Sequence, residues 1–472
     1  MNTQNNLASI IEPHCALDKI AIVDRNQVYS YKQVYELSCQ IANGIRSHGI
    51  TPGQRVAIRF SNSIEFVVSY FGILRSGCVA VLINIKMPQA LIDYVISDSA
   101  PVLIIDETNY NSLLVAGPAI LEAVEETAPA VILYTSGTTG KPKGVVIAHK
   151  HKWAIDQKSE NKFLPRRKTL VGAPCYHANG LTNMEVGLAG KSTLVLISKF
   201  DPVEIIRLLG RHGKSPINTI ATVPSIMALV VQELNTNNYE QIDLSRLTSI
   251  TMASAPLSRT LAESIQKYFI NANVANRYGI TEVGPGLFAH LAGNPTLPLG
   301  SVGFPLPGID YRLVNGILQI RSPSMMLNYN NQPNPNLTED GYYNTNDIFE
   351  VDANGAYFFI GRSDDMFVNG GNNVYPTQVE RSLEEYYTVS EAAVIGLEDD
   401  IKGVRPFAFV VASSEFNEQA LIDYMFATVT PSSCPKRIWK LDSFPLNTVN
   451  KIDKKQLKLW AQEWSNAPLT NL

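Results

Sequence analysis

From about residue 54 to residue 290, short apolar runs alternate with stretches of helical periodicity, and no other feature restricts the fold as tightly. The runs occupy residues 56–60, 79–83, 102–105, 131–134, 193–197 and 220–223. Continuous apolar runs of strand length suit strands covered on both faces, as in parallel sheets. The expected class is therefore α/β. One intervening helix is well punctuated: Ser63 can cap its start, Ile64, Val67, Val68, Phe71 and Leu74 share a face, and Gly77 can end it. Another begins at Asp201-Pro202, a cap followed by proline at the first helical position.

Beyond residue 290 the texture changes to Gly, Pro and Asn with short strands and turns, among them Val314-Asn315-Gly316, residues 329–337 and residues 352–355. A β-rich subdomain is expected over about 291–361. A smaller α+β pattern follows, with helices at 376–387, 418–429 and 452–464 and strands at 392–397 and 407–412. At 472 residues the chain exceeds one ordinary core. The expected division is a large domain of parallel-type αβ layers, 1–361, and a small C-terminal domain, 362–472, with the boundary at 361–365.

Composition excludes several functions. Net charge is −4 and no block of Lys or Arg could track a nucleic-acid backbone. No apolar stretch is long enough to span a bilayer. The opening segment lacks a basic start followed by an apolar run, so a cytoplasmic protein is expected. Cys15, Cys39, Cys78, Cys175 and Cys434 are widely spaced and never form CxxC, and His149 and His151 have no accompanying HExxH pattern. Neither a disulfide framework nor a transition-metal site is expected.

The string YTSGTTGKPKG at 134–144 follows an apolar run and gathers hydroxyls, glycines and two lysines. Glycines let backbone N–H groups approach anionic oxygens, hydroxyls add donors and lysines add charge, which is the chemistry of phosphate binding. It is not a Walker A loop, because the GxxxxGK[ST] spacing is absent. A flexible polar turn is the plain alternative for a lone Gly-Thr-Gly. The whole string resembles, without a mismatch, the signature loop of the adenylate-forming superfamily: acyl-CoA synthetases, adenylation domains and luciferases.

That resemblance implies roles for Thr135, Ser136, Gly137, Thr138, Thr139 and Lys143 in holding ATP. Asn276-Arg-Tyr-Gly-Ile-Thr-Glu282 resembles the family's NxYGxTE motif, with Asn276 and Gly279 at the nucleotide. It implies Tyr278 against adenine, Thr281 at phosphate, and Glu282, with Thr135, holding Mg²⁺. Ser254, Ala255 and Pro256 resemble a segment lining the adenine and acyl pockets, where the family more often has glycines. Tyr343-Asn-Thr-Asn-Asp347 resembles YxTGD, implying that Asp347 binds the ribose hydroxyls. There Asn346 replaces glycine, and asparagine tolerates a left-handed backbone. Gly361-Arg-Ser-Asp-Asp365 resembles the hinge motif, with Arg362 at the ribose and Asp364 as pivot. Pro445-Leu-Asn-Thr-Val-Asn-Lys451 resembles PxTxxGK, which implies that Lys451 is the catalytic lysine, with Asn450 in place of glycine. Without the motif, Lys451 would read as one exposed lysine among many.

The implied reaction is ATP-dependent formation of an acyl-adenylate with loss of pyrophosphate, then transfer to a thiol. Asn369-Gly-Gly-Asn-Asn-Val-Tyr-Pro376 resembles the segment of acyl- and aryl-CoA ligases whose glycines, here Gly370 and Gly371, border the pantetheine tunnel; Gly-Gly also suits a tight hairpin. CoA is the favoured acceptor, and the phosphopantetheine of an acyl carrier protein is the alternative. A member that binds nucleotide without turnover is a third reading. Pro174-Cys-Tyr-His-Ala-Asn-Gly180 resembles the ligases' PxxHxxG segment, which makes His177 either a gate of the acyl pocket or a plain core histidine. Residues 223–227 and 283–287 are expected to line that pocket. No aspartate there offers to clamp an α-ammonium, so an aryl or medium-length apolar acid is expected. A homodimer is left open.

Overall fold

The computed structural model describes residues 2–135, 141–159, 167–210, 216–289, 298, 300–399, 403–447 and 451–465. The apolar runs become strands of two large sheets. In the six-stranded sheet Pro129–Thr135, Val79–Leu82, Arg55–Ile58 and Leu103–Ile105 lie side by side and parallel. The nine-stranded sheet has a parallel centre in the order Asn273–Ile280, Ser249–Ala253, Thr219–Thr222, Lys168–Val171, Thr193–Leu196 and Ile20–Asp24. The α/β expectation holds.

Helix Ile64–Arg75 starts where Ser63 Oγ accepts from the backbone N–H of Phe66, and Gly77 follows with φ +75°. The expected apolar face is there, but the helix is buried all round except at Glu65. It lies in the core shared by the two sheets, so a single wetted face would have no water to meet. Burial extends even to Arg75, 0% exposed: its guanidinium donates to Ser38 Oγ at 2.9 Å and Ile120 O at 2.8 Å and pairs with Glu12. Helix Pro202–Leu209 is capped by the carboxylate of Asp201 as expected.

The β-rich region contains a four-stranded antiparallel sheet of Asp310–Val314, Ile317–Arg321, Tyr343–Val351 and Tyr357–Arg362. Its first hairpin turns at Asn315 and Gly316, with φ +51° and +78°. The region is not self-contained. Phe304–Pro305 joins the edge of the nine-stranded sheet, and Asn328–Tyr329 pairs with Lys143–Ala148 at the edge of the six-stranded one.

After residue 366 every described strand pairs within one five-stranded sheet around Val389–Asp399 and Gly403–Ala412, flanked by helices Pro376–Glu384, Glu418–Thr428 and Lys454–Ser465. This unit touches the rest through hydrogen bonds from Thr260 Oγ1 to Glu384 O, 2.5 Å, and from Gln232 Nε2 to Asp442 O, 3.1 Å. Among the described residues no helix is long and apolar enough to cross a membrane.

Candidate active site

The six-stranded sheet stops being parallel at Pro129–Thr135, which pairs antiparallel with Lys143–Ala148 and brings Thr135 across from Lys143. The connection carries the phosphate-loop string; Ser136, Gly137, Thr138 and Thr139 lie outside the described residues. Its base is held firmly. Asn330 N donates to Gly144 O at 2.6 Å, and a Cβ on Gly144 would come within 3.0 Å of the Tyr134 ring. Lys143 Nζ stands 5.2 Å from the ring centroid of Tyr329.

That same Tyr329 reaches the acidic motif. Its hydroxyl donates to Glu282 Oε1 at 2.9 Å and lies 2.8 Å from the hydroxyl of Tyr343, which in turn accepts from Asn336 Nδ2 at 3.2 Å. Glu282 is thus held by a relay from Asn336 through two tyrosines. Thr281 lies beside it, half-buried, where strand Asn273–Ile280 gives way to Gly284–Ala289.

A second carboxylate lies on Tyr343–Val351, the strand that also carries Tyr343. Asp347, 3% exposed, accepts from Tyr278 Oη at 2.6 Å and from the Arg362 guanidinium at 3.1 Å, its cross-strand partner. Burial raises the Asp347 pKa to about 6 although Arg362 pulls it down. Arg362 also donates to both carboxylate oxygens of Asp364 at 2.7 and 2.8 Å, so Asp364 is tied to the Asp347–Arg362 pair. Tyr278 packs edge-on against Phe288 and Phe349, and burial, then Asp347, lifts its phenol well above the ordinary range. Asn276 nearby is buried with no partner for Oδ1 among the described residues. Asn346 takes φ +59°, the left-handed conformation that explains a glycine in its place elsewhere. Ser254 does the same at φ +73°, leading into Ala255 and Pro256 at the end of strand Ser249–Ala253.

Lys451 comes to this centre from the C-terminal unit. Its backbone N–H donates to Asn447 Oδ1 at 3.1 Å and its carbonyl accepts from Asn447 N at 2.8 Å; Asn450 lies outside the described residues. The residue as a whole is exposed, yet its ammonium is surrounded by protein. That desolvation lowers its pKa, while Asp347 and Glu282 pull it up and Arg362 pushes it down. The three motifs at 282, 347–362 and 451 therefore meet in one electrostatic centre.

Other expected residues lie elsewhere. His177 precedes helix Ala178–Ala189, half-buried, with Nε2 3.4 Å from Asn84 Nδ2 and its ring edge-on to Tyr176. Gly370 and Gly371 make the tight turn between Phe367–Asn369 and Asn372–Val374, with φ +57° and +84° and open space around each. The tight-hairpin geometry is present at this pair. Val223, Ile226 and Met227 sit in the second apolar core, and Val283 and Leu287 in the first. These five are packed against other core side chains, which corrects the expectation that they line the acyl pocket. Sequence reasoning missed Tyr329 and Asn336 entirely, and took Tyr343 only as the first letter of a motif.

Comparison with known proteins agrees with this arrangement. The family model described as AMP-binding enzyme matches residues 12–329, and the one described as AMP-binding enzyme C-terminal domain matches 378–451. The chain belongs to the AMP-binding enzyme family. With that it is an adenylate-forming enzyme. A 2-succinylbenzoate--CoA ligase of Bacillus cereus is 25% identical over 473 residues, covering 94% of this AMP-binding enzyme and 96% of that relative. The fold matches ATP-bound MatB from Rhodopseudomonas palustris with a TM-score of 0.86 at 23% identity, over 98% of this chain and 100% of that one. It also matches the anthranilate CoA ligase AuaEII bound to anthranoyl-AMP, with a TM-score of 0.88 at 23% identity, over 99% and 100% of the two chains.

Proposed function

We propose that this enzyme joins a carboxylic acid to CoA in two half-reactions. In the first, a carboxylate oxygen attacks the α-phosphorus of ATP and the bond to pyrophosphate breaks, giving an acyl-adenylate. In the second, the CoA thiol attacks the acyl carbon and AMP leaves. The observation that carries this reading is that Lys451, carried by a separate unit of the chain, lies within electrostatic reach of Asp347 and Glu282. An ammonium there can hold the substrate carboxylate and the α-phosphate together, two anions that otherwise repel.

Asp347 and Arg362 would hold the ribose, Tyr278 and Ser254–Pro256 the adenine, and Lys143 with the loop at 135–140 the phosphates. Among the described residues no three His, Cys, Asp or Glu side chains gather as a metal cage. Glu282 nevertheless offers a fixed hard oxygen, which suits Mg²⁺, an ion that is bound through one or two protein oxygens plus phosphate. Glu282 and Thr135 would hold it, and when bound it offsets phosphate charge. Residues 362–472 would turn about Asp364 between the half-reactions, withdrawing Lys451 to admit the thiol. CoA as acceptor is supported by relatives named as CoA ligases, and an aryl acid by the names 2-succinylbenzoate and anthranilate.

The test is a pyrophosphate-release screen over aryl, aliphatic and amino acids with ATP and Mg²⁺, with CoA present and absent. An acid that releases pyrophosphate and yields its CoA thioester is the expected result. Bound ATP with no pyrophosphate from any acid would overturn the reading.

A further inference from the structure

The arm that carries Lys451 is cinched at its base. Leu446 and Ile452 form an antiparallel bridge, Asp453 N donates to Pro445 O at 2.8 Å, and Lys451 is pinned to Asn447 as described above. Asp453 then caps helix Lys454–Ser465, its Oδ1 accepting from the backbone N–H groups of Lys455 and Gln456, each at 3.1 Å. That helix opens with two lysines, Lys454 and Lys455, and has no acidic residue in its first turn. Cations at a helix N-terminus meet the positive end of its dipole, so an ammonium placed there is unfavourable unless a group outside the helix answers it.

Glu380 answers Lys454. Lys454 Nζ donates to Glu380 Oε1 at 2.5 Å, and the same oxygen accepts from Val394 N at 2.7 Å. The Glu380 side chain is 13% exposed, and this shelter strengthens the pair over one on open surface. Glu380 belongs to helix Pro376–Glu384. The next residue on that helix, Arg381, reaches out of the C-terminal unit and donates to Phe359 O in strand Tyr357–Arg362. Asp365, beside the proposed pivot, interacts with Lys454 and Glu380 and also with Arg362 and Asp364.

These contacts close a ring. Lys451 interacts with Asp347, which accepts from Arg362; strand Tyr357–Arg362 leads back to Phe359; and Arg381 and Glu380 lead through their helix to Lys454, three residues beyond Lys451. The bonds at the base of the arm fix its shape, and the Lys454–Glu380 pair fixes its tilt against the strand that carries Arg362. A charge that stabilises a transition state must be held to within about 0.5 Å, and a displacement of about 1 Å caused from a distance can cost on the order of a hundredfold in rate. Both members of the pair lie in the C-terminal unit, so a turn about Asp364 would carry them together and leave the pair intact.

Resting on the reading of Lys451 as the lysine of adenylate formation, we infer that Lys454 is a positioning residue: paired with Glu380, it sets the place of the Lys451 ammonium without touching substrate. It therefore acts through Lys451, and on the first half-reaction only.

The test measures pyrophosphate release with whichever of 2-succinylbenzoate, anthranilate, benzoate and hexanoate the wild-type enzyme turns over fastest, and thioester formation from the pre-made adenylate of that acid. Lys454→Met and Glu380→Gln should each lower kcat for pyrophosphate release about tenfold to a hundredfold, with the KM for ATP and the rate of thioester formation within about threefold of wild type. Lys454→Arg, which keeps the charge and the reach, should restore kcat to within about threefold. In a Lys451→Ala background, Lys454→Met should add less than about twofold, because the group it acts through is gone. If Lys454→Met does not fold, Glu380→Gln removes the same pair from the other side and decides alone. Unchanged kcat in the folded variants, equal slowing of both half-reactions, or a Lys454→Met factor that multiplies in full with Lys451→Ala would overturn the inference and leave the ligase reading intact. Wild-type pyrophosphate release by Lys451→Ala would overturn the role given to Lys451, and no pyrophosphate from any acid would overturn the ligase reading; either result takes this inference with it.

Discussion

The two faces of strand Asn273–Ile280 solve opposite electrostatic problems. On the Tyr278 face, buried Asp347 is answered by Arg362 and Lys451, so negative charge meets cations from the C-terminal end of the chain. On the Arg277 face, three cations meet one carboxylate that is already shared with Tyr70. The first face draws its cations from the C-terminal end of the chain, and the second from helix Lys152–Ser159 and the segment just ahead of Lys168–Val171. One strand thereby separates two distinct clusters of charge.

Lys451→Ala attacks the first face most directly. It should slow adenylate formation by roughly a hundredfold or more, the usual consequence of removing one charge that stabilises a transition state. Thioester formation from a pre-made adenylate should change little, because the lysine would have withdrawn by then. Equal loss in both half-reactions, followed by rapid quench, would contradict the swinging arrangement.

Asp347→Asn keeps the shape and removes the charge. The KM for ATP should rise about tenfold or more, since a hydrogen bond to a charged group contributes ~1.5–3 kcal/mol. The same carboxyl sets a pH dependence. Its folded-state pKa, about 6, lies above the ordinary carboxylate value, so the native protein takes up this proton first as pH falls, and the ribose anchor loses its charge below pH 6. Wild-type KM for ATP should therefore climb below pH 6, and more steeply than in Asp347→Asn, where only the nucleotide titrates. Parallel profiles would remove Asp347 from the ribose site.

On the second face, Arg277→Gln removes one of two cationic side chains that converge on Gly286 and should leave the KM for ATP within about threefold. Asn346→Ala should have the smallest effect, about 1–2 kcal/mol of stability from placing a Cβ at φ +59°, seen as a melting temperature a few degrees lower. Asn346→Gly should cost little, and a large loss would mean that the asparagine side chain itself serves the site.

Much of the first face was legible in the sequence because its residues lie in compact strings. Glu282, Asp347, Arg362 and Lys451 each sit in a motif whose neighbours announce them, and the fold needs only to bring the strings together. Tyr329 and Asn336 have no such string: they matter because Asn328–Tyr329 crosses to another sheet, which local pattern does not reveal. The second face was invisible for the same reason. Lys158, Arg167 and Arg277 are each ordinary in isolation, and only packing makes them neighbours. Residues 226 and 227 misled in the opposite direction, since apolar side chains near a site look alike whether they line a cavity or fill a core.

The pairing of Asn328–Tyr329 with Lys143–Ala148 also orders events during synthesis. The strand that ends the phosphate loop leaves the ribosome about 180 residues before its partner, which at 5–20 residues per second is a wait of roughly ten to forty seconds. For that interval its outer edge offers unpaired backbone groups to any passing strand. The nascent chain thus spends that interval with strand Lys143–Ala148 paired to Pro129–Thr135 on one side and open on the other.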